Sequence, residues 1–190
     1  MDNAARESVL AGHELARERF SVRENTSLGL IRLQAFHRKA GNVDAVARQL
    51  GLPLPRPCQS ARDEDMQLFW SAPGEWILAS PAGSEREIAQ LLQSRLDNSA
   101  LAVTSVVTDS RVTLELGGAA VRDVLARGST LDFHPSQFGA GRCVTTRFAG
   151  IPAMLTYPEG GEGFLLFADR SLGHYLLDWF AAASADCVAE

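Results

Sequence analysis

The stretch Glu75–Leu96 (EWILASPAGSEREIAQLLQSRL) decides the fold, because Gly163–Phe180 (GFLLFADRSLGHYLLDWF) follows the same plan. Each stretch begins with an apolar run typical of a strand and continues into a helix with one apolar face. The similarity extends upstream, where Val43–Pro55 and Val121–Phe133 each resemble a short helix that follows a strand. A repeated plan of strand, short helix, strands and longer helix predicts two copies of one α+β unit.

The two copies are expected to share one core, because no substantial linker separates them. Trp76 of the first copy then corresponds to Phe164 of the second. The N-terminal segment is too poor in apolar residues for a strong helical stripe, so it is either a frayed arm or a segment that orders against a partner. The predicted divisions are an arm (1–18), one pseudo-duplicated domain (19–183, with halves of about 19–98 and 99–183) and a loose tail (184–190).

Composition narrows the class of protein. The chain has 190 residues, of which 46% are hydrophobic and 22% charged, as in an ordinary globular protein. A net charge of −5 argues against nucleic-acid binding, which needs a basic surface. No apolar run approaches the roughly 20 residues that cross a bilayer, and the N-terminus lacks a secretory signal. We therefore expect a cytoplasmic protein that binds neither nucleic acid nor membrane.

Residues that carry chemistry do not form a recognisable set. Three cysteines cannot all pair, and their spacing matches no metal site. The histidines are far apart in sequence, no serine lies in a nucleophile elbow, and the Gly117-Gly118 junction lacks the rest of a dinucleotide-binding pattern. The sequence therefore predicts no catalytic, cofactor-binding or metal-binding residue; the side chains considered are Cys58, Cys143, Cys187, His13, His37, His134 and His174.

Two apolar segments are candidates for contact with a partner. Arg19–Arg23 (RFSVR) alternates polar and apolar residues, and Trp70–Trp76 encloses the turn Ala72-Pro73-Gly74-Glu75. Tryptophans on strands usually pack in the core, but they are also favoured in interfaces. The predicted partner-contact residues are Phe20, Val22, Trp70 and Trp76.

The run Phe69–Leu78 (FWSAPGEWIL) resembles the hairpin signature of the gamma subunit of heterotetrameric sarcosine oxidase. The ordered set is more specific than any single piece, and the resemblance extends from about Leu28 to Phe180. The other matching pieces are Asp109-Ser110, Val112–Leu116, Gly118-Ala119-Ala120, Leu125-Ala126-Arg127-Gly128, Leu131-Asp132, Phe138-Gly139 and Arg170-Ser171 with Trp179.

More distantly, the chain is similar to the folate-binding domain of glycine-cleavage aminomethyltransferases. That resemblance implies two β-α-β-α subdomains that exchange their first strands. The paired aspartates of those enzymes have no counterpart in Gly150–Leu155, and Gly141-Arg142-Cys143 only weakly matches the lysine-glycine-cysteine motif of related folate-dependent proteins. A stand-alone folate-binding module stays open as an alternative. An active aminomethyltransferase is disfavoured, because the chain lacks the carboxylates that would transfer protons.

The resemblance implies a noncatalytic gamma subunit that braces its alpha, beta and delta partners. In such complexes sarcosine is oxidised to glycine at a flavin. FAD, FMN, NAD, tetrahydrofolate and zinc are expected on the other subunits and none on this chain. The small subunit of a related N-methyl amino acid dehydrogenase, such as one acting on N-methylglutamate, is a second implied possibility.

Overall fold

The computed structural model describes residues 7–35, 47–48, 51–63, 65–96 and 102–187. The chain forms groups of antiparallel strands separated by helices, which confirms the α+β prediction. Within the stretch Val43–Pro55, Ala47 and Arg48 are helical and residues 51–55 are not; the remaining residues of the predicted helix lie outside the described ranges. The strands are β1 (Leu15–Ala16), β2 (Ser21–Glu24), β3 (Leu28–Ala35), β4 (Ser60–Asp63), β5 (Met66–Ala72), β6 (Glu75–Pro81), β7 (Ala102–Val106), β8 (Arg111–Gly117), β9 (Arg142–Phe148), β10 (Ile151–Tyr157) and β11 (Phe164–Asp169). The helices with described bounds are α1 (Glu85–Arg95), α2 (Val121–Gly128) and α3 (Gly173–Ala183), with 3₁₀ turns at Thr108–Ser110 and Arg170–Leu172.

The strands form two antiparallel sheets. One has six strands in the order β1-β2-β8-β11-β10-β9, and the other has five in the order β4-β5-β6-β3-β7. Within the described residues no helix is long and apolar enough to cross a bilayer.

The internal duplication is visible in the strand registers. Leu33 on β3 lies opposite Trp76 on one side and Thr104 on the other. Leu116 on β8 lies in the same way opposite Phe164 and Val22. The correspondence of Trp76 with Phe164 is therefore confirmed residue by residue. Helices α1 and α3 have the same length of 11 residues and begin at the same spacing after these aromatic residues.

The first strands of the two copies are exchanged. Strand β2 precedes the first copy but pairs with β8, and β7 precedes the second copy but pairs with β3. The chain accordingly forms two compact units, one of Ser27–Asp109 and one that joins the described residues up to Thr26 with those from Ser110 onward. This corrects the contiguous halves of about 19–98 and 99–183, because backbone pairing places each first strand in the sheet of the other copy.

Each unit has its own apolar core between one face of its sheet and its helices. In both clusters the buried residues alternate along the strands, so side chains of one strand face share one core. The core of the unit with α1 contains Ile31, Leu33, Ala47, Leu52, Leu68, Trp76, Leu78, Ala89, Leu92 and Leu96. The core of the unit with α2 and α3 is rich in aromatic residues, among them Phe20, Phe133, Phe138, Phe148, Phe164 and Phe180.

The described part of the N-terminal segment is integral to the second unit. The Glu24 carboxylate accepts hydrogen bonds from the Val9 and Leu10 backbone N–H groups at 3.2 and 3.0 Å and from the Ser8 hydroxyl. Leu10 is fully buried in the core of that unit. For residues 7–18 this corrects the predicted polar arm, because a single carboxylate satisfies the backbone donors that an arm would leave to water.

The C-terminal segment is also held in place. Arg17 Nη2 donates to the Ala181 carbonyl at 2.9 Å, and Arg127 Nη1 donates to the Ala183 carbonyl at 2.7 Å, so two cations cover the negative end of α3. Ser184 and Cys187 are buried, and Asp186 forms a two-point ion pair with Arg127. For residues 184–187 this corrects the predicted loose tail.

The hydrogen bond from Arg127 lowers the pKa of Asp186 below its ordinary value. A lowered pKa in the folded state means that the pair stabilises the fold above the unfolded pKa of about 4 and loses this effect as the pH falls through the folded value. Asp186→Asn is expected to lower the thermal unfolding midpoint at neutral pH, with the difference from wild type shrinking below about pH 4. Asp178→Asn, a substitution at an exposed position on the preceding helix α3, is the control; an equal pH-dependent difference there would contradict the assignment.

Gly118 tests the attachment of the exchanged strand. Its φ is +95°, and a Cβ there would collide with the carbonyl oxygen of Arg19, which accepts a hydrogen bond from the Ala120 N–H at 2.8 Å. Gly150 has a similar φ of +81°, but a Cβ there would meet nothing within 4 Å. Gly150→Ala should cost about 1–2 kcal/mol of stability from the backbone conformation alone. Gly118→Ala should cost about 1–3 kcal/mol more, measured by denaturant unfolding; equal losses would show that the close approach of Arg19 does not matter.

Candidate partner-binding site

The structure corrects the predicted contact residues. Phe20 and Val22 are only 1% and 0% exposed and belong to the core of the second unit. Trp76 is 6% exposed and belongs to the core of the first. Trp70 is half-buried and packs against that same core. Phe20, Val22 and Trp76 therefore serve the intramolecular core, because their side chains have no surface left to offer a partner.

The histidines and cysteines have separate surroundings. His13, His134 and His174 are exposed, and His134 Nδ1 lies 2.8 Å from the Ser136 hydroxyl. Within the described part of the chain, none of the three cysteines is in a disulfide, and no three His, Cys, Asp or Glu side chains form a group that could hold a metal ion. His37 lies outside the described residues.

Several carboxylates have identifiable structural roles. Glu75 accepts hydrogen bonds from Gln34 Nε2 at 2.8 Å and from the Ser71 hydroxyl at 3.1 Å. Asp169 accepts from the backbone N–H and the hydroxyl of Ser171, and these bonds lower the pKa of its carboxyl below the ordinary value. Acids of this kind anchor strands and helix starts.

A different arrangement lies at the beginning of α2. Apolar residues at Val121, Val124 and Leu125 bury one side of this helix, which leaves the intervening Arg122 half-buried at the edge of the core. Its guanidinium carbon lies 5.1 Å from the ring centroid of Tyr157 and 4.9 Å from that of Phe164. A cation over two aromatic faces is attracted by their negative π density.

Arg122 also fixes the loop that follows α2. Its Nη1 donates to the carbonyls of Phe133 and Phe138, at 2.5 and 2.9 Å. The rings of those two residues pack on each other at 5.4 Å and on Phe164 at 5.9 and 5.6 Å. The loop therefore has its own apolar anchor, with Arg122 satisfying two backbone acceptors.

A second arginine lies across the hairpin from the same tyrosine. Arg142 begins β9 and is directly opposite Tyr157 on β10. Cβ atoms of such opposed residues are about 4.5–5.5 Å apart, so their side chains share one face of the sheet. Arg142 is half-buried, and its Nε is buried without a hydrogen-bond partner.

We define the arginine–tyrosine site as Arg122, Arg142 and Tyr157. Within the part of the chain that the structure describes, neither arginine forms an ion pair, and the Tyr157 hydroxyl has no hydrogen bond. A half-buried guanidinium without an acceptor, as in Arg142, costs free energy. The site holds no nucleophile or proton-transfer pair, but its unused N–H groups suit an anion.

The sequence contained a signal for half of this site. The two-residue turn Ala149-Gly150 joins two stretches of strand-forming residues and fixes the hairpin register of β9 and β10, which places Arg142 opposite Tyr157. Arg122 gave no such signal, because its position over Tyr157 depends on the packing of α2 against the sheet.

Comparison with known proteins decides the family. The model of the sarcosine oxidase gamma subunit family matches residues 38–186 of the chain. The chain belongs to this family. The sarcosine oxidase subunit gamma of Corynebacterium sp. (strain U-96) is 27% identical over 182 residues, which cover 94% of this chain and 86% of that one. The sarcosine oxidase subunit gamma of an Arthrobacter species is 28% identical over 173 residues, with coverages of 88% and 83%. The predicted family resemblance is confirmed.

Solved structures agree with the family assignment. A chain of the heterotetrameric sarcosine oxidase from Corynebacterium sp. U-96, in complex with pyrrole 2-carboxylate, superposes with a TM-score of 0.80 and 27% identity over 93% of this gamma-family chain and 90% of that chain. The glycine cleavage system aminomethyltransferase T from Bartonella henselae gives a TM-score of 0.63 at 15% identity, over 88% of this chain and 47% of that one. The second likeness shows the fold alone and confirms the predicted aminomethyltransferase-like architecture.

Within this gamma-family fold, Arg122→Met tests the structural role of the guanidinium. Methionine keeps much of the apolar stem, but it leaves the carbonyls of Phe133 and Phe138 without their donor. The expected loss is about 2–4 kcal/mol of unfolding free energy, from two charge-assisted hydrogen bonds and the aromatic contacts. Denaturant unfolding measures it. Arg19→Met removes an exposed arginine from the same unit and is expected to change stability little, so a similar loss for both variants would contradict the role given to Arg122.

Proposed function

We propose that this chain is the gamma subunit of a heterotetrameric sarcosine oxidase, a noncatalytic subunit that braces the subunits carrying the chemistry. The observation that supports this most strongly is the likeness to a chain of the solved heterotetrameric oxidase, which extends over nearly the whole length of both chains. At this identity and coverage the likeness goes beyond a shared fold.

The local chemistry supports a bracing role. Glu24, Glu75 and Asp186 each hold backbone or side-chain groups of their own unit in place. The arginine–tyrosine site binds without reacting, since a guanidinium does not lose its proton in proteins and carries out no proton transfer. A chain built in this way contributes contacts to an assembly, whereas the oxidation of an amine needs a redox cofactor.

The proposal assigns the chemistry to the partners. The alpha, beta and delta subunits would hold FAD, FMN, NAD, tetrahydrofolate and zinc, and sarcosine would be oxidised to glycine on them. The complex would work in the cytoplasm. The fold likeness to an aminomethyltransferase supports no separate folate-binding function for this chain, because a shared fold hosts many functions.

Co-expression with the candidate partner subunits tests the proposal. With a tag on the beta subunit, this chain is expected to co-purify in a fixed ratio through size exclusion, because obligate interfaces commonly bury more than about 2,000 Å². The purified chain alone is expected to oxidise no sarcosine, and the complex assembled with it is expected to do so. A chain that elutes as a lone monomer with no affinity for the other subunits, or that turns over sarcosine by itself, would contradict the proposal.

A further inference from the structure

We infer that the arginine–tyrosine site binds the carboxylate of an acidic side chain on a partner subunit. The inference rests on the proposed function, because it needs a partner, and it deepens that function by naming a contact point. Arg142 is the principal carboxylate-binding residue and Arg122 is the second cation; Tyr157 lies opposite Arg142 in the strand register and under the Arg122 guanidinium.

The strongest argument is the state of Arg142. Its Nε is buried, and within the described residues its guanidinium has neither a hydrogen bond nor an ion pair. Arg127 of the same unit, by contrast, is paired with Asp186 and donates to the Ala183 carbonyl. Buried cations are normally paired, and a planar guanidinium pairs best with a carboxylate through two parallel hydrogen bonds. An unpaired, half-buried arginine on a strand is unfavourable unless an anion from outside the chain binds it, and Arg142 therefore indicates such an anion.

Arg122 makes the site stronger and more rigid. Both of its hydrogen bonds leave from Nη1, so Nε and Nη2 keep their donor capacity. The Tyr157 and Phe164 rings and the two loop carbonyls fix its orientation before any ligand arrives. A site that is ordered in advance avoids much of the entropy cost of binding.

The acidic residues nearest in the sequence do not neutralise the site. Asp123 is exposed and follows Arg122, and Asp132 accepts the His134 N–H at 2.8 Å. Neither arginine forms an ion pair with another of the described residues, so their positive charge remains available to an incoming acid.

Residue types favour a protein ligand over a metabolite. Arginine and tyrosine, with tryptophan, are enriched among the residues that dominate the binding energy of protein interfaces, where the bound partner completes their desolvation. Arg122, Arg142 and Tyr157 are each half-buried, with the partly buried Leu131 among the apolar residues of the same core. Such a site presents cations at a surface, as an interface does.

The test uses the full-length chain and the tagged partner subcomplex. Arg142→Gln keeps a polar side chain but shortens it and removes the charge, and it breaks no hydrogen bond of the guanidinium within the described chain. We expect the isolated variant to unfold at the same temperature as wild type or higher. The Kd for the partner subcomplex should rise by about tenfold or more, because truncating one side of a desolvated ion pair leaves the other charge unpaired. Arg142→Lys, which keeps the charge, should lose less.

Arg147→Gln is the matched control. It makes the same charge change on β9, five positions further on, at an exposed side chain that alternation places on the opposite face of the strand. Its Kd should change by less than about twofold, as for an exposed charge outside a contact. Equal weakening by Arg147→Gln and Arg142→Gln would reduce the effect to overall charge and overturn the inference.

The remaining outcomes separate this inference from the proposed function. If wild type itself does not bind the subcomplex, the proposed function fails. If wild type binds and Arg142→Gln binds equally well, the function stands and the contact assignment is overturned. If acetate titrated into the isolated wild-type chain shifts the Arg142 side-chain resonances while Arg142→Gln assembles normally, the site takes a small carboxylate, and the partner assignment is again overturned.

Discussion

Backbone pairing of the exchanged first strands is the constraint on which the rest of the structure depends. Strand β2 pairs with β8, and β7 pairs with β3. Each unit therefore contains the first strand of the other copy. The N-terminal segment follows β2 into the second unit, where Glu24 binds its backbone and Leu10 enters the core. The same placement brings Arg17 to the end of α3, which it caps together with Arg127.

The repeat made much of this architecture predictable from the sequence. The sequence matched Trp76 with Phe164. In the structure each is the cross-strand partner of an equivalent strand residue, Leu33 and Leu116 respectively. The local pattern did not show which sheet each first strand joins. The alternation of polar and apolar residues in Arg19–Arg23 (RFSVR) is compatible with pairing in either sheet. That choice is made by long-range hydrogen bonds and core packing, which leave Phe20 and Val22 buried where a partner contact was expected. Polar composition misled in the same way at both termini, where a few side chains such as Glu24 and Asp186 order segments that look unstructured.

The candidate site illustrates the same limit at the level of single residues. The β9–β10 turn determines that Arg142 faces Tyr157, a relation that local sequence can supply. The approach of Arg122 to the same ring depends on how α2 packs on the sheet, and no local rule gives it. Only a structure shows that a half-buried cation is unpaired, because the sequence does not reveal which acceptors lie near a side chain in space. Within the gamma-subunit family assignment, we propose that this unpaired charge links the fold to assembly.

Amide hydrogen exchange of this chain, alone and within the assembled oxidase, tests that link most directly. We expect assembly to slow exchange in the loop between Ser129 and Gly141 and at the start of β9, because a partner side chain held by Arg142 and Arg122 would order and cover that surface. Amide groups elsewhere in the chain, far from the arginine–tyrosine site, would then serve as internal references. Unchanged exchange around Arg142 in a fully assembled complex, with protection gained only elsewhere, would contradict the account.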